Sequence, residues 1–274
     1  MNRIAVIADI HANIWALEAV LEHAKQRGIT QFVNVGDVLY GPLRPRATYD
    51  RLMQESSNVL LTVQGNQDRQ VCEAAASQDF KDATTRHVVE DLGPDAVSWL
   101  RQLPATGVVD DLFLCHGTPA SDSTYLLEDV SSGSPVVRSD EGIRELLGAV
   151  SQPVILCGHT HVQRVVRLSH GQMIVSSGSV GLPAYTSELP VPHAMQSYSP
   201  AASYAIVEQS ERGWNVSLER VSYDYEPAVR EARKHGREDW VRALATGRVV
   251  GAEEHVGRAA RPASRAIGGI IGPY

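Results

Sequence analysis

Three short apolar segments near the start of the chain each end in polar residues of the types that ligate metals. The segments are residues 3–8, 31–35 and 59–63, and the polar residues that follow them are Asp9, His11, Asp37 and Asn66. Between the first two segments, apolar residues repeat at the spacing of an amphipathic helix that stops at Gly28. Buried strands that alternate with helices form open α/β sheets, and ligands bind at the carboxyl edge of such sheets. The pattern therefore predicts an α/β fold with a functional site at that edge.

Two later apolar segments end in histidines in the same way. The predicted strand 112–115 is followed by His116, and the strand 154–157 is followed by residues 158–161, whose sequence is Gly-His-Thr-His. Two imidazoles one residue apart at the end of a buried strand can direct their ring nitrogens to adjacent ions, and the glycine before them permits a sharp turn. One such motif is weak evidence, but the other four fragments supply the ligands that it would need.

The remaining pattern predicts one large domain over residues 1–250, with a helical insertion at 68–100 and C-terminal helices at 226–246. The insertion is predicted to break at Gly93-Pro94. We also expect a helix at 46–54, a hairpin over 106–115, a helix at 141–150 and strands at 163–168, 173–176, 203–207 and 214–221. Residues 118–138 and 177–200 are rich in small and turn-forming residues and are predicted to be long surface loops. Residues 251–274, rich in Gly, Ala and Arg, are predicted to be a flexible tail.

Composition excludes several classes of function. The net charge of −7 and the lack of a Lys/Arg run disfavour a nucleic-acid partner larger than a small nucleotide. The first residues show no secretory signal pattern, and no apolar run approaches the ~20 residues of a membrane span. We therefore expect a cytoplasmic protein with no membrane partner. Its three cysteines, Cys72, Cys115 and Cys157, form no disulfide framework and are predicted to be reduced, buried apolar residues.

Taken together, the five fragments resemble, in order, the five sequence blocks of the calcineurin-like metallophosphoesterase family. The fragments are Asp9-x-His11, Gly36-Asp37, Gly65-Asn66, His116-Gly117 and Gly158-His159-x-His161. The resemblance spans about residues 4–181, and Ser-Gly-Ser-Val-Gly at 177–181 is similar to a segment of the bacterial phosphodiesterase-like branch. It implies a four-layer α/β/β/α sandwich with mixed sheets and a dinuclear metal centre at one end.

The resemblance also implies a role for each ligand. Asp9, His11 and His161 correspond to the ligands of a first metal, Asn66, His116 and His159 to those of a second, and Asp37 to the carboxylate that bridges both. Oxygen and imidazole donors without thiolate suit two divalent or mixed-valence ions, Mn or Fe first, with Zn or Mg as alternatives. Two such ions ~3.5–4 Å apart lower the pKa of a shared water toward ~7, giving a bridging hydroxide that attacks phosphorus. The expected activity is hydrolysis of a small phosphoester.

The third block departs from the family pattern in one residue. Many relatives carry a histidine after the asparagine and use it to protonate the leaving oxygen, whereas this chain reads Asn66-Gln67-Asp68. Glutamine cannot deliver a proton, so a contribution of about 10²–10⁴ from general-acid catalysis is in question. Three interpretations stay open. The enzyme acts on esters whose alcohol leaves easily, His193 replaces the missing acid, or the activity is impaired. Asp37, Asn66, Gln67, Asp68 and His193 are the catalytic candidates.

Two arginines are candidates for phosphate binding. Arg44 follows the turn after the bridging Asp37, and Arg69 follows the third block. Each guanidinium has the planar geometry that favours two-pronged contact with phosphate. We expect a phosphodiesterase. The alternatives are a phosphomonoesterase or nucleotide phosphatase, and a catalytically impaired scaffold on the same fold, as in the retromer subunit that resembles this family. The sequence names neither the substrate nor the oligomeric state.

Overall fold

The computed structural model describes residues 3–249, and its centre is a pair of five-stranded sheets. The strands are β1 Arg3–Ile7, β2 Gln31–Asn34, β3 Val59–Thr62, β4 Thr106–Val109, β5 Leu112–Cys115, β6 Glu128–Asp129, β7 Val136–Val137, β8 Val154–Cys157, β9 Gln163–Arg167, β10 Met173–Ser177, β11 Ala184–Ser187, β12 His193–Gln196, β13 Ala202–Ser210 and β14 Gly213–Val221. The helices are α1 Ile14–Gln26, α2 Pro45–Gln54, α3 Asn66–Ser77, α4 Ala83–Gln102, α5 Asp140–Leu147, α6 Glu226–Lys234 and α7 Glu238–Thr246.

Both large sheets are mixed. The first has the order β14-β13-β1-β2-β3, in which β1, β2 and β3 are parallel and β13 runs antiparallel to β1. The second has the order β4-β5-β8-β10-β9, in which β5, β8 and β10 are parallel and both edge strands are antiparallel. Parallel neighbours end at the same edge of a sheet. Each sheet therefore brings the ends of its central strands, and the polar residues that follow them, to one edge.

Alternation of side chains along each strand builds the layers. In β1, Ile4 and Val6 point into the core between the sheets, where they pack with Leu114 and Leu156. The residues between them, Ala5 and Ile7, belong to a second core that contains apolar residues of α1 and α4. Residues of α5 form a third core with β8 and β10 on the outer face of the other sheet. The order is thus helix, sheet, sheet, helix, which confirms the predicted sandwich.

The last two helices pack across the end of the sandwich. Apolar residues of α6 and α7 form a cluster with Ala12, Leu43 and Leu182, which lie in loops that follow strands. Arg44 donates a hydrogen bond of 3.1 Å to Glu231 of α6. The helix pair is therefore attached to the edge where β1 ends.

Two segments predicted to be surface loops contain structure. Residues 118–138 include the antiparallel pair β6–β7, and residues 177–200 include the hairpin β11–β12. Leu126 and Leu127 are buried in the core beside β8, and fully buried Glu128 pairs with Arg164 at 2.8 Å. The loop prediction was wrong for these segments because a few apolar residues in a polar sequence are enough to dock them. The segment predicted as a tail lies outside the described residues.

The helical insertion is present, but its boundaries differ from the prediction. The α3 helix already begins at Asn66, and residues 78–82 separate it from α4. Gly93 interrupts α4 with a φ of 73° immediately before Pro94, as the sequence predicts. Within residues 3–249 the structure contains no helix long and apolar enough to cross a membrane. The three cysteines are buried and unbonded to one another, as predicted.

Candidate metal centre

The turns that carry the predicted ligands share an uncommon backbone conformation. The φ angle is positive at Asp9 (52°), His11 (51°), Asp37 (52°), His159 (70°) and His161 (58°). Left-handed backbone at residues other than glycine costs of order 1–3 kcal/mol each and is concentrated at functional sites. These turns place the side chains at the strand ends, where they face one another across the two sheets.

Asp9, His11 and His161 form the first of two buried clusters. Their ligand atoms all lie within 4.8 Å of one another. The Nε2 atoms of the two histidines are 3.0 Å apart, and Oδ1 of Asp9 is 3.3 Å from Nε2 of His161. The three residues are at most 4% exposed. Residues separated by about 150 positions in the chain therefore converge on one point.

The hydrogen bonds of the two rings determine where their protons are. Nδ1 of His11 donates to the carbonyl oxygen of Tyr40 at 3.1 Å, and Nδ1 of His161 donates to that of Leu182 at 2.6 Å. A carbonyl can only accept, so in the neutral rings the two Nε2 atoms carry lone pairs that face each other. Oδ1 of Asp9 is buried and has no hydrogen-bond partner among residues 3–249. Three convergent electron pairs without a proton between them fit a cation.

Asp37, His116 and His159 form the second cluster, and Asn66 adjoins it. Nε2 of His116 is 3.4 Å from Oδ2 of Asp37 and 3.1 Å from the amide oxygen Oδ1 of Asn66. Nδ1 of His116 donates to the carbonyl oxygen of Val35 at 2.7 Å, which directs Nε2 to the cluster. The arrangement offers carboxylate, imidazole and amide oxygen donors to a second ion.

A backbone contact joins the two clusters. The N–H of His159 donates to Oδ2 of Asp9 at 3.1 Å, so a ligand of one cluster fixes the turn that carries a ligand of the other. A side chain at Gly65 would overlap the backbone nitrogen and the carboxylate of Asp37. One at Gly36, where φ is 98°, would lie 2.7 Å from the nitrogen of Gly65. These glycines permit the close approach that the sequence predicts.

Burial and neighbouring charge set the protonation of the histidines. Burial lowers the pKa of His11 and of His159 to about 4 each, and the nearby imidazoles act in the same direction. Both rings are therefore neutral at neutral pH, which is the form that binds metals. Burial also opposes the charge on His116, but the carboxylate of Asp37 outweighs it and raises the pKa of His116 to about 10. Metal and proton compete for that Nε2, so binding of a metal releases the proton.

Gln67 and Asp68, predicted as catalytic, have different positions. The backbone N–H of Gln67 donates to Oδ1 of Asp37 at 2.9 Å, and its side chain lines the cavity beside the clusters. Oε1 of Gln67 is buried and has no hydrogen-bond partner among the described residues. Asp68 does not line that cavity. Its fully buried carboxylate accepts hydrogen bonds from the N–H groups of Val38 at 2.9 Å and Gly65 at 3.0 Å.

The structure therefore corrects the role of Asp68. Burial first, and then the charge of Asp37, raise the pKa of Asp68 to about 7. Because it bonds the backbone on both sides of the ligand loops, Asp68 is a positioning residue that holds the turns of Asp37 and Asn66 together.

His193, like Asp68, does not line the cavity beside the clusters. It is 5% exposed, its Nδ1 donates to the carbonyl of Val191 at 2.7 Å, and its Nε2 is 2.9 Å from the hydroxyl of Tyr125. The Tyr125 hydroxyl in turn lies 2.9 Å from that of Tyr185, which lines the cavity. The ring of Tyr125 lies 4.7 Å from that of the ligand His159, so this one tyrosine separates His193 from the clusters. His193 does not line the cavity, and direct protonation of the leaving group by His193 therefore stays a prediction without support from its contacts.

Neither predicted phosphate-binding arginine lines the cavity. Arg44 pairs with Glu231, and Arg69 makes a two-pronged contact with Asp122 at 2.6 and 3.1 Å. Both guanidinium groups connect parts of the structure, which corrects their predicted role. The arginine that does line the cavity is Arg237, at the start of α7. No sequence motif identifies Arg237, because this residue reaches the cavity only through the packing of the C-terminal helices.

The cavity has a volume of about 270 Å³. The ligands that line it are His11, Asp37, Asn66, His159 and His161, and the other walls include Tyr40, Leu182, Tyr185, Asp239 and Trp240. A larger cleft of about 760 Å³ lies beside α5 and contains none of the predicted ligands. The smaller cavity is therefore the candidate active site, because five of the predicted metal ligands line it.

Comparisons with known proteins agree with this site. The sequence model of the calcineurin-like phosphoesterase superfamily domain matches residues 2–198. An uncharacterized protein of Methanocaldococcus jannaschii is 23% identical over 255 residues, which cover 88% of this chain and 96% of that protein. The crystal structure of a metallophosphoesterase from Sphaerobacter thermophilus superimposes with a TM-score of 0.68 at 25% identity, over 90% of this chain and 100% of that one.

The matched segment contains both clusters and all seven predicted ligand positions, and it extends over most of the chain. The family and the two clusters together support binding of divalent metals. The chain belongs to the calcineurin-like phosphoesterase superfamily.

Proposed function

We propose that the protein is a dinuclear metal-dependent hydrolase of small phosphodiesters. The observation that carries the proposal is the pair of buried ligand clusters that open into one cavity. In the first cluster the Nε2 atoms of His11 and His161 lie 3.0 Å apart, and the turns of both clusters keep a strained backbone conformation. Such strain persists only where the surrounding structure enforces it, which is expected of a working site.

The ligand residues fall into two sets, one for each metal ion, with one carboxylate between them. Asp9, His11 and His161 hold one cation, Asn66, His116 and His159 hold the other, and Asp37 lies between them. Bound there, divalent cations supply Lewis-acid activation of water and neutralise phosphate charge. The donors are oxygen and imidazole nitrogen, so we propose Mn or Fe, with Zn or Mg as alternatives.

The charge of the cavity favours a diester over a monoester. Among the described residues that line it, Arg237 is the sole Lys or Arg, and Asp239 neutralises it at 2.6 Å. A monoester carries a second negative charge at neutral pH, and the described residues that line the cavity offer no free Lys or Arg side chain to bind it. A diester carries a single charge, which the metal ions can neutralise. The volume of about 270 Å³ also suits a small substrate.

Among the described residues that line the cavity, no His, Asp or Glu lies outside the ligand clusters and the Arg237–Asp239 pair. Gln67 cannot deliver a proton, and His193 lies behind Tyr125 and does not line the cavity. We therefore propose that the substrate is an ester whose alcohol leaves without strong protonation. A non-catalytic scaffold is the second candidate, favoured by Gln67. It is opposed by the retention of strained turns at ligand positions, which a protein without a metal would not need.

The test is hydrolysis of bis(p-nitrophenyl) phosphate against p-nitrophenyl phosphate, in protein loaded with Mn²⁺. We expect kcat/KM to be at least about tenfold higher for the diester, a difference of ~1.4 kcal/mol. Asp37→Asn, which removes a charge between the two metal positions, should abolish turnover of both. A clear preference for the monoester would overturn the diesterase proposal. Less than one bound metal ion per chain, with no turnover, would favour the scaffold.

A further inference from the structure

The helices α6 and α7 lie beyond the segment that matches the family domain, yet α7 forms a wall of the candidate active site. Trp240 is 4% exposed, and its ring packs edge-on against the ring of His11 at a centroid distance of 5.8 Å. Arg237 and Asp239, immediately before it, line the same cavity as the metal ligands. The substrate therefore meets side chains that the family motifs do not include.

Arg237 and Asp239 form a fixed pair. Nε of Arg237 donates to Oδ1 of Asp239 at 2.9 Å, and a terminal nitrogen donates to Oδ2 at 2.6 Å. The other terminal nitrogen donates to the hydroxyl of Thr84 at 2.9 Å. The guanidinium also lies 5.4 Å from the centre of the Trp240 ring. Contacts with α4 and α7 thus hold the group in one orientation before any substrate arrives.

The pair presents donors and acceptors with no net charge. The bonds to Asp239 and Thr84 use three of the five N–H groups of the guanidinium, and the carboxylate keeps unused lone pairs. The hydroxyl of Tyr40, which also lines the cavity, lies beside Arg237. A hydroxyl group both donates and accepts, so it matches such a surface. A carboxylate or phosphate matches it poorly, because Asp239 would repel it.

Arg237 and Asp239 are positioned to bind the second ester arm of a substrate. The Trp240 ring contacts both the guanidinium and the ring of His11, so one side chain connects Arg237 to the first ligand cluster. Because the pair and five of the ligands line one cavity, a phosphate held at the clusters can direct one of its two arms toward the pair. Gln67 adds a buried amide oxygen in the same cavity, which has no hydrogen-bond partner within residues 3–249 and can accept from a donor on the substrate.

We propose that Arg237 and Asp239 determine specificity by binding hydroxyl groups on the alcohol that remains attached to phosphorus. The preferred substrate class is then a phosphodiester of a polyol. This inference rests on the proposed phosphodiesterase function and identifies the substrate class of the same site.

The test uses two p-nitrophenyl phosphodiesters that differ only in the second arm, which is 2,3-dihydroxypropyl in one and propyl in the other. Both release the same alcohol, so any difference reports binding of the arm. With Mn²⁺-loaded protein, we expect kcat/KM to be about tenfold higher for the dihydroxypropyl ester, mainly through KM. Arg237→Gln and Asp239→Asn should each reduce that ratio to about one. Arg230→Gln, an exposed arginine of α6, is the matched control and should keep the full ratio.

Metal content and thermal melting of each variant separate specificity from misfolding. The inference is overturned if the unsubstituted protein shows a kcat/KM ratio of about one for the two esters, or if the full ratio persists in both variants. In either case, turnover of either ester leaves the phosphodiesterase proposal standing. Faster hydrolysis of a 2-carboxyethyl ester than of the dihydroxypropyl ester also overturns it, since the pair would then be binding an anion. Failure to hydrolyse any of the three esters removes the proposed function and this inference with it.

Discussion

At the scale of single residues, backbone conformation and side-chain chemistry are linked at the metal centre. Asp9, Asp37 and His159 follow strands in left-handed turns that a glycine would adopt more easily. The chain keeps carboxylate and imidazole groups there instead, at a cost of order 1–3 kcal/mol each. The packing of the two sheets offsets this cost, and ions bound at the clusters would add to that stabilisation.

Gln67 occupies the position at which the family resemblance leads us to expect a general acid. We predict that Gln67→His raises kcat by at least about tenfold for diesters with poorly leaving alcohols, because the imidazole supplies the missing proton. Diesters of p-nitrophenol should change little. The measurement is the dependence of kcat on the pKa of the leaving alcohol, which should become less steep. Gln67→Asn is the control, and an unchanged slope in Gln67→His would remove general-acid catalysis from this position.

His193 should behave as a structural residue. His193→Gln removes the ring that bonds the Tyr125 hydroxyl and the Val191 carbonyl, so we expect a loss of about 1–3 kcal/mol in the free energy of unfolding. The acidic and basic limbs of the pH–rate profile should stay where they are. Denaturant unfolding and the pH dependence of kcat check the two parts. Loss of one limb of the profile would return His193 to the catalytic machinery.

At the scale of elements, most helices and strands follow from local pattern. The predicted strands 31–35 and 154–157 appear as β2 and β8, and the helices predicted within 226–246 appear as α6 and α7. The hairpin β11–β12 was missed because its burial depends on partners distant in the chain. Its Tyr185 hydroxyl bonds the backbone carbonyl of His159, a contact that no local pattern encodes.

The attachment of α7 to the metal edge can be tested through Trp240. Trp240→Ala should reduce the free energy of unfolding by about 3–5 kcal/mol, because it removes a large buried ring from the cluster that holds α6 and α7. It should also weaken metal retention, since His11 loses the ring packed against it. Chemical denaturation and metal analysis after dialysis measure the two effects.

Trp99→Ala is the matched control for this substitution. Trp99 lies on α4 and packs against Tyr49, outside the candidate active site. It should lower stability and leave metal content unchanged. Equal metal loss in both variants would mean that Trp240 acts only through general stability.

At the scale of the whole molecule, metal binding should be coupled to folding. The clusters join β1, β2, β5 and β8 across two sheets, and cations that bind only the folded form stabilise it by about 2.7 kcal/mol at 100 times Kd. For a domain of this size each kcal/mol corresponds to ~2–4 °C in Tm. We therefore expect Mn²⁺ to raise the Tm of chelator-treated protein by several degrees.

Two variants test whether the rise in Tm comes from metal bound at the clusters. Asp37→Asn lacks the carboxylate between the clusters and should show a much smaller rise, whereas Arg230→Gln should show the full rise. The measurement is thermal melting at increasing Mn²⁺. A Tm that does not respond to Mn²⁺, Fe²⁺, Zn²⁺ or Mg²⁺ would contradict the metal centre.

By itself, the sequence determined the strand ends and the ligand types that follow them. Both are local properties: an apolar run specifies a buried strand, and the next residue is then fixed at its edge. Tertiary structure decided which side chains share the cavity. Asp68, His193, Arg44 and Arg69 were each near a motif or a loop in the chain, yet their hydrogen bonds direct them elsewhere. Arg237 reaches the cavity through the docking of α7, and such long-range packing depends on the whole fold.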